Sequence, residues 1–250
     1  MITKEELKTY ANQLGFNLWQ VERDYLQHQL LSSLSRRTAD ELIFKGGTAL
    51  QKVFGLNRFS IDLDFTQNKL LPKNLFELIK KDLSLFGIDV VFSVARNKNS
   101  IVAKALIHGP SYRNTENTAV VLRIEISLRE KTVKKAEIKE IFPVYPDIQP
   151  YLLKVMDKEE ILAEKVRAIF TRTKARDIFD LRFLLHKGVY INENLVNEKL
   201  VNYNLKYSKT ALIDKIKMGS GIWQNELSQL LNAVPEFDEV VKQIKQKIIF

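Results

Sequence analysis

The sequence contains no cysteine, which excludes disulfides and thiolate metal sites. Its 3 histidines stand far apart without metal-ligand spacing, so we interpret them as structural residues. No apolar run approaches the ~18 residues that a membrane span requires. The N-terminal stretch "MITKEELKTY" lacks the basic and then apolar pattern of a secretory signal. These absences predict a soluble protein that resides in the cytoplasm and has no membrane partner.

The composition is that of a folded protein with a basic surface. Hydrophobic residues make up 45% of the chain and charged residues 28%, which is typical of globular domains. The formal net charge is +9, and such an excess favours polyanionic partners such as nucleic acid or nucleoside triphosphates. The lysines are spread along the chain, however, so the charge is equally compatible with an ordinary basic protein.

The residue pattern divides the chain into a mixed first part and a helical second part. Apolar residues at helical spacing predict one or two helices over residues 4–34. "ELIFKG" and "FSIDLDFT" read as strands, and "TALQKVFG" between them as a helix with Thr48 as its cap and Gly55 as its end. A further helix, "LPKNLFELIKKDLSLFG", and three strands over about 88–130 follow. We therefore predict a mixed α/β domain over residues 1–150 and a helical domain over residues 151–250.

Two aspartates, Asp62 and Asp64, interrupt the apolar strand "FSIDLDFT". Side chains two residues apart on a strand share a face, so the two carboxylates are expected to lie side by side. Two adjacent carboxylates repel each other unless a cation lies between them, and Mg²⁺ takes one or two carboxylates together with water and phosphate oxygens. The pair therefore indicates a metal site, although two solvated aspartates on an exposed face would give the same pattern.

A glycine pair, Gly46 and Gly47, precedes the predicted helix that leads to these aspartates. Glycines between a strand and a helix allow backbone N–H groups to approach a phosphate, and the helix N-terminus favours its negative charge. The hydroxyl of Thr48 stands next to them. The arrangement predicts a site for a metal and a triphosphate, but it is not a Walker loop, because the G-x-x-x-x-G-K-[ST] string is absent.

The stretch "KGGTAL…GLNRFSIDLDF" resembles the first motif of the AbiEii/AbiGii nucleotidyltransferase toxins, which belong to the polymerase-β-like nucleotidyltransferase superfamily. Arg58 and Ser60 stand where that family has R-x-S before D-x-D. The resemblance implies an α+β fold, with a polymerase-β-like core of mixed β-sheet flanked by helices and a helical C-terminal domain. It also implies a third metal-binding carboxylate on a neighbouring strand, for which Glu125 in "VLRIEIS" is the candidate. An ordinary polar-face glutamate is the alternative for Glu125.

The later string "EEILAEKVRAIFTRTKARDIFDLRFLL" is similar to the family's other motifs. Lys165 shares a predicted helix with an apolar stripe and therefore needs an anionic partner. Asp177 and Asp180 share a face of the next helix, where they can meet Lys165 or a substrate hydroxyl. A structural interhelical salt bridge is the alternative. The family positions in this string are Lys165, Arg172, Arg176, Asp177 and Asp180.

The resemblance implies the transfer of a nucleoside monophosphate from an NTP to an acceptor, with release of pyrophosphate. Asp62, Asp64 and Glu125 would bind Mg²⁺ or Mn²⁺, and Lys165 and Asp177 would stabilise phosphate charge and orient or deprotonate the acceptor hydroxyl. The groups expected to contact the nucleotide are Gly46, Gly47, Thr48, Arg58, Ser60, Arg176 and Asp180.

The resemblance and the positive charge together point to RNA, and specifically to the 3′ end of tRNA, as the acceptor. They also imply the toxin of a toxin–antitoxin or phage-defence system, with a cognate antitoxin that can be a winged-helix protein. Two alternatives stay open at this point: nucleotidylylation of a protein by the same site, and a non-catalytic module that binds nucleotide or RNA.

Overall fold

A computed structural model describes residues 1–129 and 131–249 of the chain. Two helices open it, α1 (Lys4–Leu14) and α2 (Leu18–Arg37). Each begins with a capping box, in which the side chain of the residue before the helix and that of its third residue bond each other's backbone N–H groups. Helix α2 is buried around most of its circumference, and many of its polar residues therefore lie inside the protein.

A mixed sheet follows, interrupted by two helices. Its elements in chain order are β1 (Leu42–Lys45), α3 (Gly46–Phe54), β2 (Leu63–Gln67), α4 (Leu75–Leu85), β3 (Asp89–Arg96), β4 (Ser100–His108), β5 (Val120–Ser127), β6 (Glu137–Ile141) and β7 (Tyr151–Val155). The strands lie in the order β3-β4-β5-β2-β1-β7-β6. β2 is parallel to β5 and β1 to β7, whereas the other neighbouring strands are antiparallel.

One face of the sheet carries the hydrophobic core. Leu63, Phe65, Ile124 and Ile126 are fully or almost fully buried there, and the core extends to the apolar residues of α2 and α4. Because side chains alternate along a strand, the residues between them occupy the opposite face. That second face carries the polar residues of β2 and β5.

The remainder of the chain is helical. It comprises α5 (Lys158–Thr171), α6 (Ala175–His186), α7 (Glu193–Leu200), α8 (Lys209–Lys217), α9 (Ser220–Leu227) and α10 (Phe237–Ile249). Helix α5 packs against α6, α7 and α8, and α6 also contacts α9 and α10. The mixed sheet followed by a helical region confirms the predicted fold class. No helix in the described part of the chain is long and apolar enough to cross a membrane.

The chain divides into two compact units that are not continuous in sequence. The first unit consists of Met1–Gly55, Phe59–Thr132 and Ala136–Val155, and the second consists of Leu56–Arg58, Val133–Lys135 and the chain from Met156 onward. The expected boundary at residue 150 differs from this division. The final strand carries the first unit to Val155, and two short segments that precede residue 150 belong to the second unit.

The structure corrects three local predictions. Strands β6 and β7 were not predicted, because short runs such as "YLLKV" give little periodic signal beside the long helical pattern that follows. Helix α3 begins at Gly46, so Thr48 lies inside the helix and is not its cap. Strand β2 begins at Leu63, and Asp62 therefore belongs to the irregular segment that precedes the strand.

Candidate active site

The turn from β1 into α3 has a backbone geometry that requires glycine. Gly46 has φ +74°, a left-handed conformation that residues with a side chain rarely adopt. A Cβ atom at Gly46 would also collide with the carboxylate of Asp64. The first residue of the helix and the Asp64 carboxylate are therefore in direct contact. The helix N-terminus adds a partial positive charge at this point.

Asp64 lies within a row of residues that crosses the sheet. In the β1–β2 register it stands opposite Lys45, and in the parallel β2–β5 register it stands beside Glu125. Directly paired residues of neighbouring strands project from the same face, about 5 Å apart. The sheet therefore places Glu125 next to Asp64, as the sequence analysis expected of a third carboxylate.

The Asp62 carboxylate is half-buried, just outside β2. Its backbone carbonyl oxygen accepts a hydrogen bond from the hydroxyl of Thr48 on α3. Within residues 1–129 and 131–249, no hydrogen bond or ion pair engages its carboxylate oxygens. Because Asp62 precedes the strand, regular strand alternation does not place its side chain on the same face as Asp64.

The donor set at this point fits a hard divalent cation. Asp62 and Asp64 supply carboxylate oxygens, and such oxygens are the ligands that Mg²⁺ and Mn²⁺ prefer. Across the described chain, no three His, Asp or Glu side chains are already grouped to hold a metal. This is compatible with Mg²⁺, which takes one or two carboxylates and completes its shell with water and substrate phosphate oxygens.

Glu125 has a partner on its own strand. Its carboxylate forms an ion pair of 2.7 Å with Arg123, and both side chains are partly exposed. Exposed ion pairs contribute little free energy, so this one can open at low cost. Glu125 could bind a metal only if its carboxylate left Arg123 and took the cation as its partner.

The groups expected to contact phosphate are less accessible than the sequence analysis predicted. Gly47, Thr48 and Ser60 are all buried. The Thr48 hydroxyl lies 2.8 Å from the Ser60 hydroxyl oxygen and also reaches the Asp62 carbonyl oxygen. In this arrangement both hydroxyls fix the segment before Asp62, and neither points freely into solvent.

Two glutamines that the sequence analysis did not identify also hold this segment. Gln27 on α2 donates hydrogen bonds of 2.8 Å to the carbonyl oxygens of Ser60 and Ile61. Gln51 on α3 accepts a hydrogen bond of 2.8 Å from the Ser60 N–H. A single sequence gives no signal for such a role, because glutamines occur on helix surfaces in most proteins.

The second unit contains a separate network of buried charges. Arg58 donates two hydrogen bonds of 2.7 Å to Asp180, and Lys165 lies 2.7 Å from the same carboxylate. Lys165 also contacts Asp177 at 3.1 Å, and Arg172 donates to both oxygens of Asp177. The predicted meeting of Lys165 with Asp177 and Asp180 is therefore present, and Arg58 completes the network. Arg176, on the same helix as the two aspartates, is half-exposed.

Burial and charge act in opposite directions on these groups. Burial alone would raise the pKa of Asp177, but Lys165 and Arg172 hold that pKa well below the usual range. Burial would also raise the pKa of Asp180, yet Arg58 and Lys165 lower it. Burial disfavours the charge of Lys165, while the two aspartates more than compensate and raise its pKa. All three groups are therefore charged at neutral pH.

Comparison with solved structures identifies the fold. MenT4, a nucleotidyltransferase toxin from Mycobacterium tuberculosis H37Rv, superimposes with a TM-score of 0.68 and 20% identity, over 99% of this chain and 88% of that chain. A candidate nucleotidyltransferase from H. pylori gives a TM-score of 0.64 at 22% identity, over 90% of this chain and 91% of its own. JHP933 from Helicobacter pylori gives 0.58 at 22% identity, covering 91% and 89%. The fold is that of the nucleotidyltransferases.

The sequence profile of the nucleotidyl transferase AbiEii toxin family, described as a type IV toxin–antitoxin system, matches residues 29–243. The chain belongs to this family, and it is a nucleotidyltransferase. No protein in the curated set matches it. As the toxin of a toxin–antitoxin system, it acts on an NTP and has an antitoxin as its counterpart.

Proposed function

We propose that the protein transfers a nucleoside monophosphate from an NTP to the 3′ end of an RNA and releases pyrophosphate. The observation that carries the proposal is the position of Asp64, which contacts the N-terminal residue of α3 and stands beside Glu125 on the polar face of the sheet. Carboxylates close to a helix N-terminus combine a cation site with a phosphate site, which is what an NTP–metal complex requires.

The first unit supplies the groups for the triphosphate. Asp62 and Asp64 would hold Mg²⁺, with Glu125 joining them when its ion pair with Arg123 opens. The cation, when bound, neutralises triphosphate charge and supports in-line displacement. Gly46 and Gly47 offer backbone N–H groups at the start of α3. Thr48 and Ser60, whose hydroxyls contact each other, contribute by fixing the segment that leads to Asp62.

The second unit is assigned a charge-stabilising role. We assign Lys165, which stays protonated, to charge stabilisation within the second unit, where Arg172 and Arg176 are exposed enough to contact an anionic group. A carboxylate with a lowered pKa is a weak base, which argues against Asp177 as the group that deprotonates the acceptor. We assign Asp177 and Asp180 the task of orienting Lys165 and the arginines.

Two lines support RNA as the acceptor. The net charge of +9 favours a polyanion through long-range attraction. Family resemblance further suggests the 3′ end of tRNA, a place in phage defence and a winged-helix antitoxin, and we also propose a cytoplasmic location, because the N-terminal stretch lacks the pattern of a secretory signal.

The test is a labelling reaction with total RNA, Mg²⁺ and each of the four NTPs labelled at the α-phosphate, with Asp64→Asn as the matched control. The proposal expects label in RNA with the wild type and none with the variant. Label in protein would instead support nucleotidylylation of a protein. NTP binding without pyrophosphate release would support a non-catalytic binding module.

A further inference from the structure

The segment before Asp62 is irregular, so no strand ladder fixes its backbone. Residues 55–62 lie between the end of α3 and the start of β2 and adopt neither helix nor strand. A carboxylate carried by such a segment is placed only as accurately as the segment itself. Metal sites depend on such supporting contacts, because the groups behind a ligand set its orientation.

Gln27 provides two of these contacts from α2. Its side chain is fully buried, and its amide nitrogen donates to two successive carbonyl oxygens, those of Ser60 and Ile61. The facing carbonyls fix which end of the amide is the nitrogen. The amide oxygen of Gln27 has no partner among the described residues. A buried polar atom without a partner costs free energy. The stabilising contacts of this side chain are therefore its two hydrogen bonds to the carbonyl oxygens of Ser60 and Ile61.

Gln51 provides the complementary contact from α3. Its amide oxygen accepts the Ser60 N–H at 2.8 Å, and its nitrogen faces Asp24 on α2 at 3.4 Å. Asp24 is itself held by Lys52 at 2.8 Å and Tyr145 at 2.9 Å. The two glutamines thus bond both polar groups of the Ser60 backbone from two different helices.

We infer that Gln27 and Gln51 are positioning residues that set the orientation of the Asp62 carboxylate for cation binding. The inference rests on the proposed function, because it requires Asp62 to be a metal ligand. Neither glutamine contacts the metal or the NTP in this account. Both act through the backbone of Ser60 and Ile61, which leads directly to Asp62.

The test measures Mn²⁺ affinity by electron paramagnetic resonance, in the presence of each of the four α,β-methylene nucleoside triphosphates. Gln27→Met keeps the size of the side chain but removes both donors, and we expect Mn²⁺ to bind about 10- to 100-fold more weakly. Gln29→Met is the matched control. Gln29 is buried on the same helix, but its amide nitrogen bonds Tyr25 and not the segment before Asp62.

Gln51→Ala tests the inference without altering a fully buried residue, because Gln51 is half-buried. Hydrogen exchange at the Ser60 amide should be slow in the wild type and faster in Gln51→Ala. Gln51→Ala should also bind Mn²⁺ more weakly than the wild type. A Ser60 amide that exchanges as fast as an exposed loop in the wild type would overturn the inference, even if Gln27→Met failed to fold.

The outcomes separate this inference from the proposed function. If Asp62→Asn abolishes Mn²⁺ binding while Gln27→Met and Gln51→Ala bind as tightly as wild type, the positioning role is wrong and the metal site stands. If Gln29→Met weakens binding as much as Gln27→Met, the effect is general destabilisation and the inference fails. If the wild type and Asp62→Asn bind Mn²⁺ equally, Asp62 is not a metal ligand and the inference fails, whereas the proposed transfer to RNA is decided separately by the labelling reaction with Asp64→Asn.

Discussion

The carboxylates of the first unit and those of the second are held by different physical means. Asp62 and Asp64 are half-buried, and the segment before Asp62 is fixed by neutral amide and hydroxyl groups. Asp177 and Asp180 are fully buried, and each one accepts bonds from two basic side chains. The difference teaches that Asp62, which is proposed to bind a cation, has no basic partner in the described part of the chain that a cation would have to displace, whereas the carboxylates of the second unit are already neutralised by basic side chains.

The largest effect is expected from removing a carboxylate of the first unit. Asp62→Asn and Asp64→Asn should each lower the transfer rate by at least about a thousandfold, because several kcal/mol of charge stabilisation are lost. Both positions are half-buried, so thermal melting should change little. Label incorporation and melting curves of the two variants measure this. Transfer at a near wild-type rate by either variant would remove its metal role.

Substitutions in the buried network of the second unit should mainly lower the free energy of unfolding. Asp180→Ala leaves Arg58 buried without its carboxylate, and we expect a loss of about 3 kcal/mol in the free energy of unfolding. Asp214→Ala is the control, since Asp214 pairs with Lys217 on an exposed surface and should matter little. Urea unfolding of both variants checks the difference. Equal losses in the free energy of unfolding would show that the buried network contributes no more stability than the exposed ion pair.

Coupling within the network is expected to be smaller. Lys165→Met and Asp177→Asn should interact in a double-mutant cycle by about 1–3 kcal/mol, because each removes the partner of the other. An activity assay run beside the cycle separates orientation from chemistry. Large coupling in stability with unchanged transfer would make the pair purely structural.

Acid should affect the first unit at a higher pH than the network of the second. Burial, together with the nearby Lys52, lowers the pKa of His28 from 6.5 to about 3, and Asp24 only partly opposes this. Between those values the unfolded chain binds a proton that the folded chain does not. The free energy of unfolding therefore falls by about 1.4 kcal/mol for each pH unit as the pH drops below about 6.5. The aspartates of the second unit, with lowered pKa values, lose their contribution only below about pH 4.

Urea unfolding between pH 7 and pH 5 tests whether the free energy of unfolding falls as the pH drops. His28→Gln should flatten the dependence, because the group that titrates is gone. His186→Gln is the control for a histidine substitution at an exposed position. The groups facing His28 are Asp24, Lys52, Tyr145 and Tyr151, and the Tyr151 hydroxyl lies 2.8 Å from its Nδ1. A wild-type slope near zero would mean that His28 binds its proton as readily in the folded protein as in the unfolded chain, and burial would then not lower its pKa.

The smallest effect is expected at Ser60. Ser60→Ala removes one hydrogen bond to Thr48 and should cost about 1 kcal/mol in stability, with NTP affinity nearly unchanged. Titration of labelled NTP in the presence of Mg²⁺ measures the affinity. A large loss of NTP affinity would mean that the hydroxyl contacts the triphosphate and not only the segment before Asp62.

Much of the fold could be predicted where a local pattern determines the structure. The periodicity of the helices, the glycines at Gly46 and Gly55, and the spacing of Asp177 and Asp180 all predicted features that are present. The pairing of β1 with β7 could not be predicted, because it joins segments that are distant in sequence. The roles of Gln27 and Gln51 could not be predicted either, since they depend on the folded path of residues 60–61.

The bond between Arg58 and Asp180 has a consequence for the protein during its synthesis. The two residues are 122 positions apart, so the ribosome makes Arg58 roughly 6 to 24 s before its partner. Arg58 lies only a few residues before Asp62 in the chain. A nascent or truncated chain that stops short of α6 therefore lacks the anchor of this stretch. During synthesis, Arg58 therefore lacks its Asp180 partner until α6 has been made.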